Sequence, residues 1–149
     1  MTTLYCLVGI PASGKSTFAN EHINENTIWI SSDNIRKEIY GAETHQDNNI
    51  EVFEMMYKRT KEALNSGVNV IYDATNISIK KRKSLIYQLE GIKKICVYFE
   101  VDLNEAIERN AKRERKVPVH IINEMYKDLQ IPTHYEGWDE IKIIKSRKI

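Results

Sequence analysis

The chain has 149 residues, of which 42% are hydrophobic, so it can bury one core without metal ions or disulfides. Its 22 Lys and Arg residues nearly balance 21 Asp and Glu residues, which excludes a broad attraction to polyanions and leaves only a local patch for nucleic acid. No segment approaches about 18 uninterrupted apolar residues, and no basic region precedes a long apolar run, so we expect a cytoplasmic protein without a membrane partner.

Predicted strands alternate with predicted helices along the chain. Short apolar runs typical of buried strands lie at residues 3–9, 27–32, 68–75, 93–101 and 140–145. Helical patterns lie at about 15–24, 34–40, 50–66, 78–89, 103–115 and 118–129. This alternation predicts an α/β fold, with a mainly parallel five-stranded sheet covered by helices on both faces. In the absence of a repeat or linker, we expect a single domain over residues 1–149.

Cysteine and tryptophan residues fall in apolar surroundings. Cys6 and Cys96 lie in predicted strands, where a thiol behaves as a small hydrophobe, which favours a reducing compartment. Trp29 and Trp138 lie in or beside predicted strands, and we interpret both as core residues. The four histidines lack neighbours at metal-ligand spacing, and we assign them no function. They are His22, His45, His120 and His134.

A phosphate-binding motif follows the first predicted strand. Residues 9–16, GIPASGKS, match G-x-x-x-x-G-K-[ST] in full and stand between a predicted strand and a predicted helix. In such a loop, backbone N–H groups face the β-phosphate, Lys15 reaches the β/γ oxygens, and the Ser16 hydroxyl can bind Mg²⁺. An ordinary glycine-containing turn is the alternative. We expect ATP or another NTP here, bound by Gly9, Ile10, Pro11, Ala12, Ser13, Gly14, Lys15, Ser16 and Thr17.

A carboxylate and a guanidinium follow the second predicted strand, in the segment SSDNIR. Ligands of parallel α/β sheets bind beyond the carboxyl ends of the strands, which is where Asp33 falls. Arg36 comes three residues later, on the same face of a predicted helix. Asp33 could take a proton from an attacking hydroxyl while Arg36 holds a neighbouring anionic group. The alternative is that Asp33 caps the helix and Arg36 is solvated.

The third predicted strand also ends in polar side chains, in the segment YDATN. Asp73 occupies the position of a Walker-B-like acid, from which it could support Mg²⁺ without binding it directly. Thr75 supplies a hydroxyl and Asn76 an amide at the same edge. The alternative is that Asp73 or Asn76 caps the following helix.

Residues 79–83, IKKRK, include four consecutive basic side chains. These side chains could contact phosphates. Because neighbouring residues point in different directions around a helix, we interpret the run as a solvated face.

Two consecutive helical patterns at residues 103–129 predict a helical hairpin that could act as a lid. Pro118 suits the first turn of the second helix. Arg109 and Arg113 are one turn apart on the first helix, so both guanidiniums could reach one phosphate chain and stabilise the charge that develops during phosphoryl transfer. A basic surface helix is the alternative.

In combination these motifs resemble the kinase domain of the phage polynucleotide kinase-phosphatase family. The similarity runs from about residue 3 to residue 129. The phosphate loop is common to P-loop NTPases, whereas the Asp-x-x-Arg pair, the lid sequence and their order are more specific. The matching segments are GIPASGKST, SSDNIR, DATN, ERNAKRERKVP and INEMYKDL.

The resemblance implies a P-loop kinase that transfers the γ-phosphate of ATP, with Mg²⁺, to the 5′-hydroxyl of single-stranded DNA or RNA. On the acceptor side, it implies that Asp33 is the general base and that Arg36 and Thr75 hold the adjacent 3′-phosphate. Val117 would pack against the first base. The chain has no D-x-D-x-T/V motif, so the resemblance does not extend to phosphatase activity.

On the donor side, the resemblance implies that Lys15 and Ser16 hold ATP and Mg²⁺, and that Arg109 and Arg113 are lid arginines in contact with the phosphates. Two other functions share the phosphate loop. One is a kinase of a small hydroxylated molecule such as a nucleoside, sugar or antibiotic. The other is a non-catalytic NTP-binding module, which would have no need of a candidate base together with two lid arginines.

Overall fold

A computed structural model describes residues 2–41, 49–114 and 116–146. His45 and Arg115 fall outside these ranges. The predicted strands and helices are confirmed in type and order. They are β1 (Thr3–Val8), α1 (Lys15–His22), β2 (Thr27–Ser31), α2 (Ser32–Tyr40), α3 (Asn49–Asn65), β3 (Asn69–Asp73), α4 (Ile79–Tyr87), β4 (Lys93–Glu100), α5 (Leu103–Ala111), α6 (Val119–Asp128) and β5 (Glu140–Lys145), with a 3-10 turn at His134–Glu136 before the last strand.

The five strands form one sheet in the order β2, β3, β1, β4, β5, and every neighbouring pair is parallel. This confirms the predicted α/β fold. The register pairs Ser31 of β2 with Asp73 of β3, and Asp73 with Leu7 of β1. The carboxyl ends of the three strands that carry the candidate motifs therefore lie side by side at one edge of the sheet.

Side chains on the central strands alternate between two apolar layers. Leu4, Cys6 and Val8 belong to a layer packed against α3 and α4, whereas Leu7 and Ile71 belong to a layer on the opposite face, against α1. This period of two is the expected pattern for strands buried on both faces. Helices cover both faces as predicted, and the two cysteines are buried.

The helical hairpin of α5 and α6 packs on a third apolar cluster formed by Ile10, Val101, Ala106 and Ile122. Its first helix ends at Ala111 rather than at residue 115 as predicted. Lys112 is the C-cap of this helix, and Asn110 in its last turn bonds to the backbone of Val117, which precedes α6. Within the described ranges, no helix is both long enough and apolar enough to cross a lipid bilayer.

The interpretation of the basic run as a solvated face is wrong for one of its members. Lys80, Lys81 and Lys83 are exposed, but Arg82 is only 1% exposed. Arg82 lies one turn before Leu85 and Ile86, which are also buried, so helical periodicity turns its side chain toward the protein interior. Its buried charge is matched by a buried carboxylate on a distant segment.

Candidate active site at the carboxyl edge of the sheet

The loop between β1 and α1 exposes the start of a helix to the site. Ala12 and Gly14 have left-handed backbone angles, with φ of 65° and 108°. Gly14 caps α1 without a side-chain hydrogen bond. The cap residue therefore offers no side-chain acceptor to the start of α1, and the N-terminus of a helix attracts anions through its first N–H groups and its dipole.

The interior of this loop has the donors and the shape that a phosphate needs. The Ser13 hydroxyl is buried and has no hydrogen-bond partner among the described residues. The Lys15 ammonium donates to the carbonyl oxygens of Gly9 and Ile10 at 2.8 and 3.0 Å, which holds it against the loop. An unmatched buried hydroxyl is costly unless a ligand supplies its partner. These residues fit a bound nucleotide.

Gly9→Ala is expected to weaken ATP binding by about tenfold while the protein stays folded. A Cβ atom at Gly9 would lie 2.5 Å from the Ser13 oxygen and 3.2 Å from the Phe99 Cβ atom, and such overpacking costs about 1–3 kcal/mol. Isothermal titration calorimetry with ATP measures the effect. Gly67→Ala is the control for general backbone strain, because Gly67 has a left-handed φ of 84°, which disfavours alanine, and does not line the cavity. Equal ATP affinities for the two variants would contradict the proposed loop geometry.

Asp73 ends β3 beneath the phosphate loop and is buried. Its Oδ2 atom accepts a hydrogen bond of 2.9 Å from Nε1 of Trp29. Burial raises the pKa of the Asp73 carboxyl, while the Lys15 ammonium and the Trp29 hydrogen bond act in the opposite direction. Trp29 is thus more than the core residue that the sequence predicted, since it also orients a site carboxylate.

Asp33 and Arg36 lie together at the start of α2. The Arg36 NH1 atom donates to Oδ1 of Asp33 at 3.0 Å. Ser31 is the N-cap of this helix, and its hydroxyl accepts the N–H of Asn34. The capping alternative for Asp33 is therefore wrong, and its carboxylate is directed into the site instead.

The end of β3 is tied directly to the phosphate loop. The Gly9 N–H donates to the Thr75 carbonyl oxygen at 3.0 Å. Asn76 has a left-handed backbone with φ of 48°, and its side-chain amide donates to the Leu7 carbonyl oxygen at 2.7 Å. Ser78 is the cap of α4, so neither Asp73 nor Asn76 caps that helix. These bonds fix Thr75 beside the phosphate loop.

Arg82 holds three separate segments together from below the site. Its guanidinium donates to Glu136 at 2.6 and 3.0 Å, to the Asn76 carbonyl oxygen at 2.7 Å and to the Gln130 carbonyl oxygen at 2.9 Å. Asn76 follows Thr75 on the site edge, and Gln130 follows α6 of the helical hairpin. The run of four basic residues gives no sign of this positioning role in the sequence.

Asn110 fixes the joint of the hairpin. It is buried at the end of α5, and its side chain accepts the Val117 N–H at 2.9 Å and donates to the Val117 carbonyl oxygen at 2.7 Å.

Arg109 donates to Glu105 at 2.9 Å and to the Ser146 hydroxyl at 2.6 Å. Because α5 ends at Ala111, Arg109 and Arg113 do not share a helical face as predicted.

One cavity of about 1070 Å³ nevertheless brings the predicted residues together. Gly9 and Ile10 are buried beneath it and contribute carbonyl oxygens to Lys15 rather than to the cavity wall. The predicted site residues that line the cavity are Pro11, Ala12, Ser13, Gly14, Lys15, Ser16, Thr17, Asp33, Arg36, Asp73, Thr75, Arg109, Arg113 and Val117.

Residues 4–132 match a family model described as an AAA domain. This match covers well over half of the chain. The chain belongs to this family. Its five-stranded parallel sheet and surrounding helices have the fold of P-loop kinases.

Individual relatives of this AAA-domain chain include kinases of different acceptors. The chain is 31% identical over 166 residues to L-seryl-tRNA(Sec) kinase from Methanococcus maripaludis, with 98% of this chain and 60% of that protein covered. It is 26% identical to a chain of the Pnkp1/Rnl/Hen1 RNA repair complex, with a TM-score of 0.77 and coverage of 86% and 44%. A gluconokinase from Sinorhizobium meliloti 1021 has a TM-score of 0.66 and 18% identity, with coverage of 99% and 84%.

The comparisons differ in how much of each relative's length the chain covers. The chain spans 60% of the length of the tRNA kinase and 44% of the chain in the RNA repair complex. The likeness to gluconokinase shows a shared fold alone.

The cavity also includes residues of the AAA-domain chain that the sequence analysis did not assign. His120 and Met125 of α6 face it, as does Phe53 of α3. His120 lies in the first turn of α6, whereas Val117 precedes the helix, so no helical spacing links His120 to the predicted site residues. Phe53 lies in the stretch that follows α2, where the sequence contains no recognisable motif.

Proposed function

We propose that the chain is a 5′-hydroxyl polynucleotide kinase that transfers the γ-phosphate of ATP to the 5′ end of single-stranded DNA or RNA. The observation that carries the proposal is the Asp33–Arg36 pair, whose atoms lie 3.0 Å apart in the same cavity as the phosphate loop. A base beside a cation suits an acceptor that has both a hydroxyl group and a neighbouring phosphate.

On the donor side, the phosphate loop and Lys15 would bind the ATP phosphates and align the γ-phosphoryl group. Mg²⁺ would be held by the Ser16 hydroxyl with support from Asp73, and it would neutralise charge on the phosphates. The buried Ser13 hydroxyl would gain its missing partner from a phosphate oxygen. In this proposal, transfer depends mainly on alignment and on charge stabilisation.

On the acceptor side, Asp33 would accept the proton of the attacking 5′-hydroxyl as the new O–P bond forms. The bond between the γ-phosphorus and the β,γ-bridging oxygen would break at the same time, with ADP as the leaving group. Arg36, with Thr75, would bind the 3′-phosphate of the same nucleotide, and Val117 would pack against its base. Asp33 and Arg36 are bonded to each other before substrate arrives, so an acceptor phosphate would compete for the Arg36 guanidinium.

The two arginines of the hairpin would stabilise the charge that develops on the transferring group. Arg109 is bonded to Glu105 and Ser146, and its NH1 atom lies 3.5 Å from the Ala12 carbonyl oxygen of the phosphate loop. Its engagement with phosphate would require exchange of these partners, as in the closing of a lid.

Two relatives support an acceptor that contains RNA over a small metabolite, and the choice of the 5′-hydroxyl rests on the Asp33–Arg36 pair. One is named as a kinase of L-seryl-tRNA(Sec), and the other is a chain of an RNA repair complex. Both names concern RNA, and both relatives are at least 26% identical to this chain. A candidate base together with two candidate lid arginines also favours an enzyme over a non-catalytic NTP-binding module.

The test is an acceptor panel with γ-labelled ATP and Mg²⁺. It includes single-stranded DNA and RNA with a 5′-hydroxyl, the same strands with a 5′-phosphate, L-seryl-tRNA, nucleosides and gluconate. Label on the 5′-hydroxyl strands but not on the 5′-phosphorylated strands is the expected result. Label confined to L-seryl-tRNA or to a small molecule would overturn the proposal.

A further inference from the structure

Successive contacts connect Asp33, the proposed base, to the exposed Lys81 of α4. Arg36, bonded to Asp33, also donates to Oδ1 of Asn49 at 3.0 Å. Asn49 starts α3, and Phe53 lies one turn later on the same face of that helix, about 6 Å further along its axis. The Lys81 ammonium of α4 lies 5.7 Å from the centroid of the Phe53 ring. The last group in this series of contacts is therefore the Lys81 ammonium.

Phe53 gives this cation a fixed support. The ring is half-buried, packs against the apolar layer that includes Leu4, Cys6 and Val8, and contributes to the cavity wall. A cation–π contact of this kind is worth about 0.5–1 kcal/mol at an exposed site, enough to favour one position of a long, flexible side chain. The Lys81 ammonium thus lies over a ring that forms part of the cavity wall, and Lys81 itself is exposed.

Within the part of the chain that the structure describes, no carboxylate pairs with Lys81. No ion pair to Lys81 is present among residues 2–41, 49–114 and 116–146, although exposed Arg59 pairs with Glu38, and Arg82, the next residue, pairs with Glu136. An ammonium group that lies over a cavity-wall ring and has no acidic partner among the described residues attracts phosphate at little cost in lost interactions.

We propose that Lys81 binds the second phosphate of the acceptor strand, next to the 3′-phosphate assigned to Arg36. This inference rests on the proposed polynucleotide kinase function and extends it, because the enzyme then grips at least two nucleotides of its acceptor. A 3′-phosphorylated nucleoside would fill the site at Asp33 and Arg36 without reaching Lys81. Only an acceptor strand that continues past Phe53 gains this contact.

The test compares two acceptors with and without the second phosphate. A 3′-phosphorylated nucleoside and a single-stranded hexanucleotide, both with a 5′-hydroxyl, are assayed with the wild-type protein, with Lys81→Ala and with Lys83→Ala. Lys83 is the matched control, since it is an exposed lysine two residues further along α4 that points in another direction.

Lys81→Ala is expected to lower kcat/KM for the hexanucleotide by roughly fivefold through a higher KM, and to leave the nucleoside unchanged. The plot of log(kcat/KM) against log(salt) should become less steep by about 0.7, the value for one phosphate contact on a single strand. Lys83→Ala should change neither acceptor nor the slope.

Three results would overturn the assignment of Lys81: no effect of Lys81→Ala on the hexanucleotide, an equal loss with both acceptors, or an equal loss with Lys83→Ala. A wild-type protein that phosphorylates the hexanucleotide in these cases would leave the proposed function standing. If the wild-type protein phosphorylated neither acceptor, the proposed function itself would fall, and the role of Lys81 with it.

Discussion

Asp33→Asn is expected to lower the rate of phosphoryl transfer by roughly 10²–10⁴-fold and to leave ATP affinity unchanged. Asn has nearly the shape of Asp but cannot accept the proton of an attacking hydroxyl. The fold should be preserved, because Ser31 rather than Asp33 caps α2 and because the Asp33–Arg36 pair is partly exposed. Single-turnover transfer to a 5′-hydroxyl oligonucleotide and calorimetric titration with ATP measure the two effects.

Asn34→Ala is the matched control for this experiment. Asn34 is exposed on the same turn of α2, and its contribution to the Ser31 cap is a backbone N–H, which alanine retains. The control should transfer phosphate at nearly the normal rate. Normal turnover in Asp33→Asn would remove the assignment of Asp33 as the base, and a parallel loss of ATP affinity would point to a structural role instead.

Glu136→Gln is expected to lower the free energy of unfolding by about 3–5 kcal/mol, because it leaves the buried Arg82 guanidinium without its counter-charge. The two side chains are 0% and 1% exposed. Glu136 also accepts hydrogen bonds from Trp138 and from the Thr133 backbone. Denaturant unfolding followed by circular dichroism measures the loss.

Glu38→Gln is the control for burial, since it removes the charge from an ion pair of similar length at the surface. The Glu38–Arg59 pair spans 2.7 Å, and its side chains are 54% and 41% exposed. Solvent screening limits such a pair to less than about 1 kcal/mol. Equal losses for the two variants would contradict the importance of burial for the Arg82–Glu136 pair.

The stability that the Arg82–Glu136 pair contributes is expected to depend on pH. Burial tends to raise the pKa of the Glu136 carboxyl, but hydrogen bonds from Arg82, Thr133 and Trp138 outweigh it and hold the pKa below its ordinary value. A carboxyl with a lowered pKa in the folded state stabilises the fold above its unfolded pKa, and that stability is lost as pH falls through the folded pKa. The difference in unfolding free energy between wild type and Glu136→Gln should therefore shrink in acid. A constant difference from neutral to acidic pH would contradict this account.

The sequence alone was sufficient for the architecture and for the phosphate loop. Apolar runs in strands and periodic apolar positions in helices predict burial directly, so the parallel strands and the helices of the described residues follow from local pattern. The phosphate loop is also local, because its eight residues carry both the turn and the helix start. Asp33 and Asp73 were identified for a related reason, since the carboxyl ends of parallel strands meet at one edge.

Tertiary structure decided how the polar residues pair. Four consecutive basic residues look alike in sequence, and Arg82 is distinguished only by Glu136, which lies 54 residues further along the chain. The Trp29 indole donates a hydrogen bond to Asp73, which lies 44 residues further along the chain. The end of α5 depends on the folded hairpin, in which the Asn110 side chain binds the Val117 backbone. Hydrogen bonds and ion pairs between distant segments depend on distance in space, which a local pattern of residues does not encode.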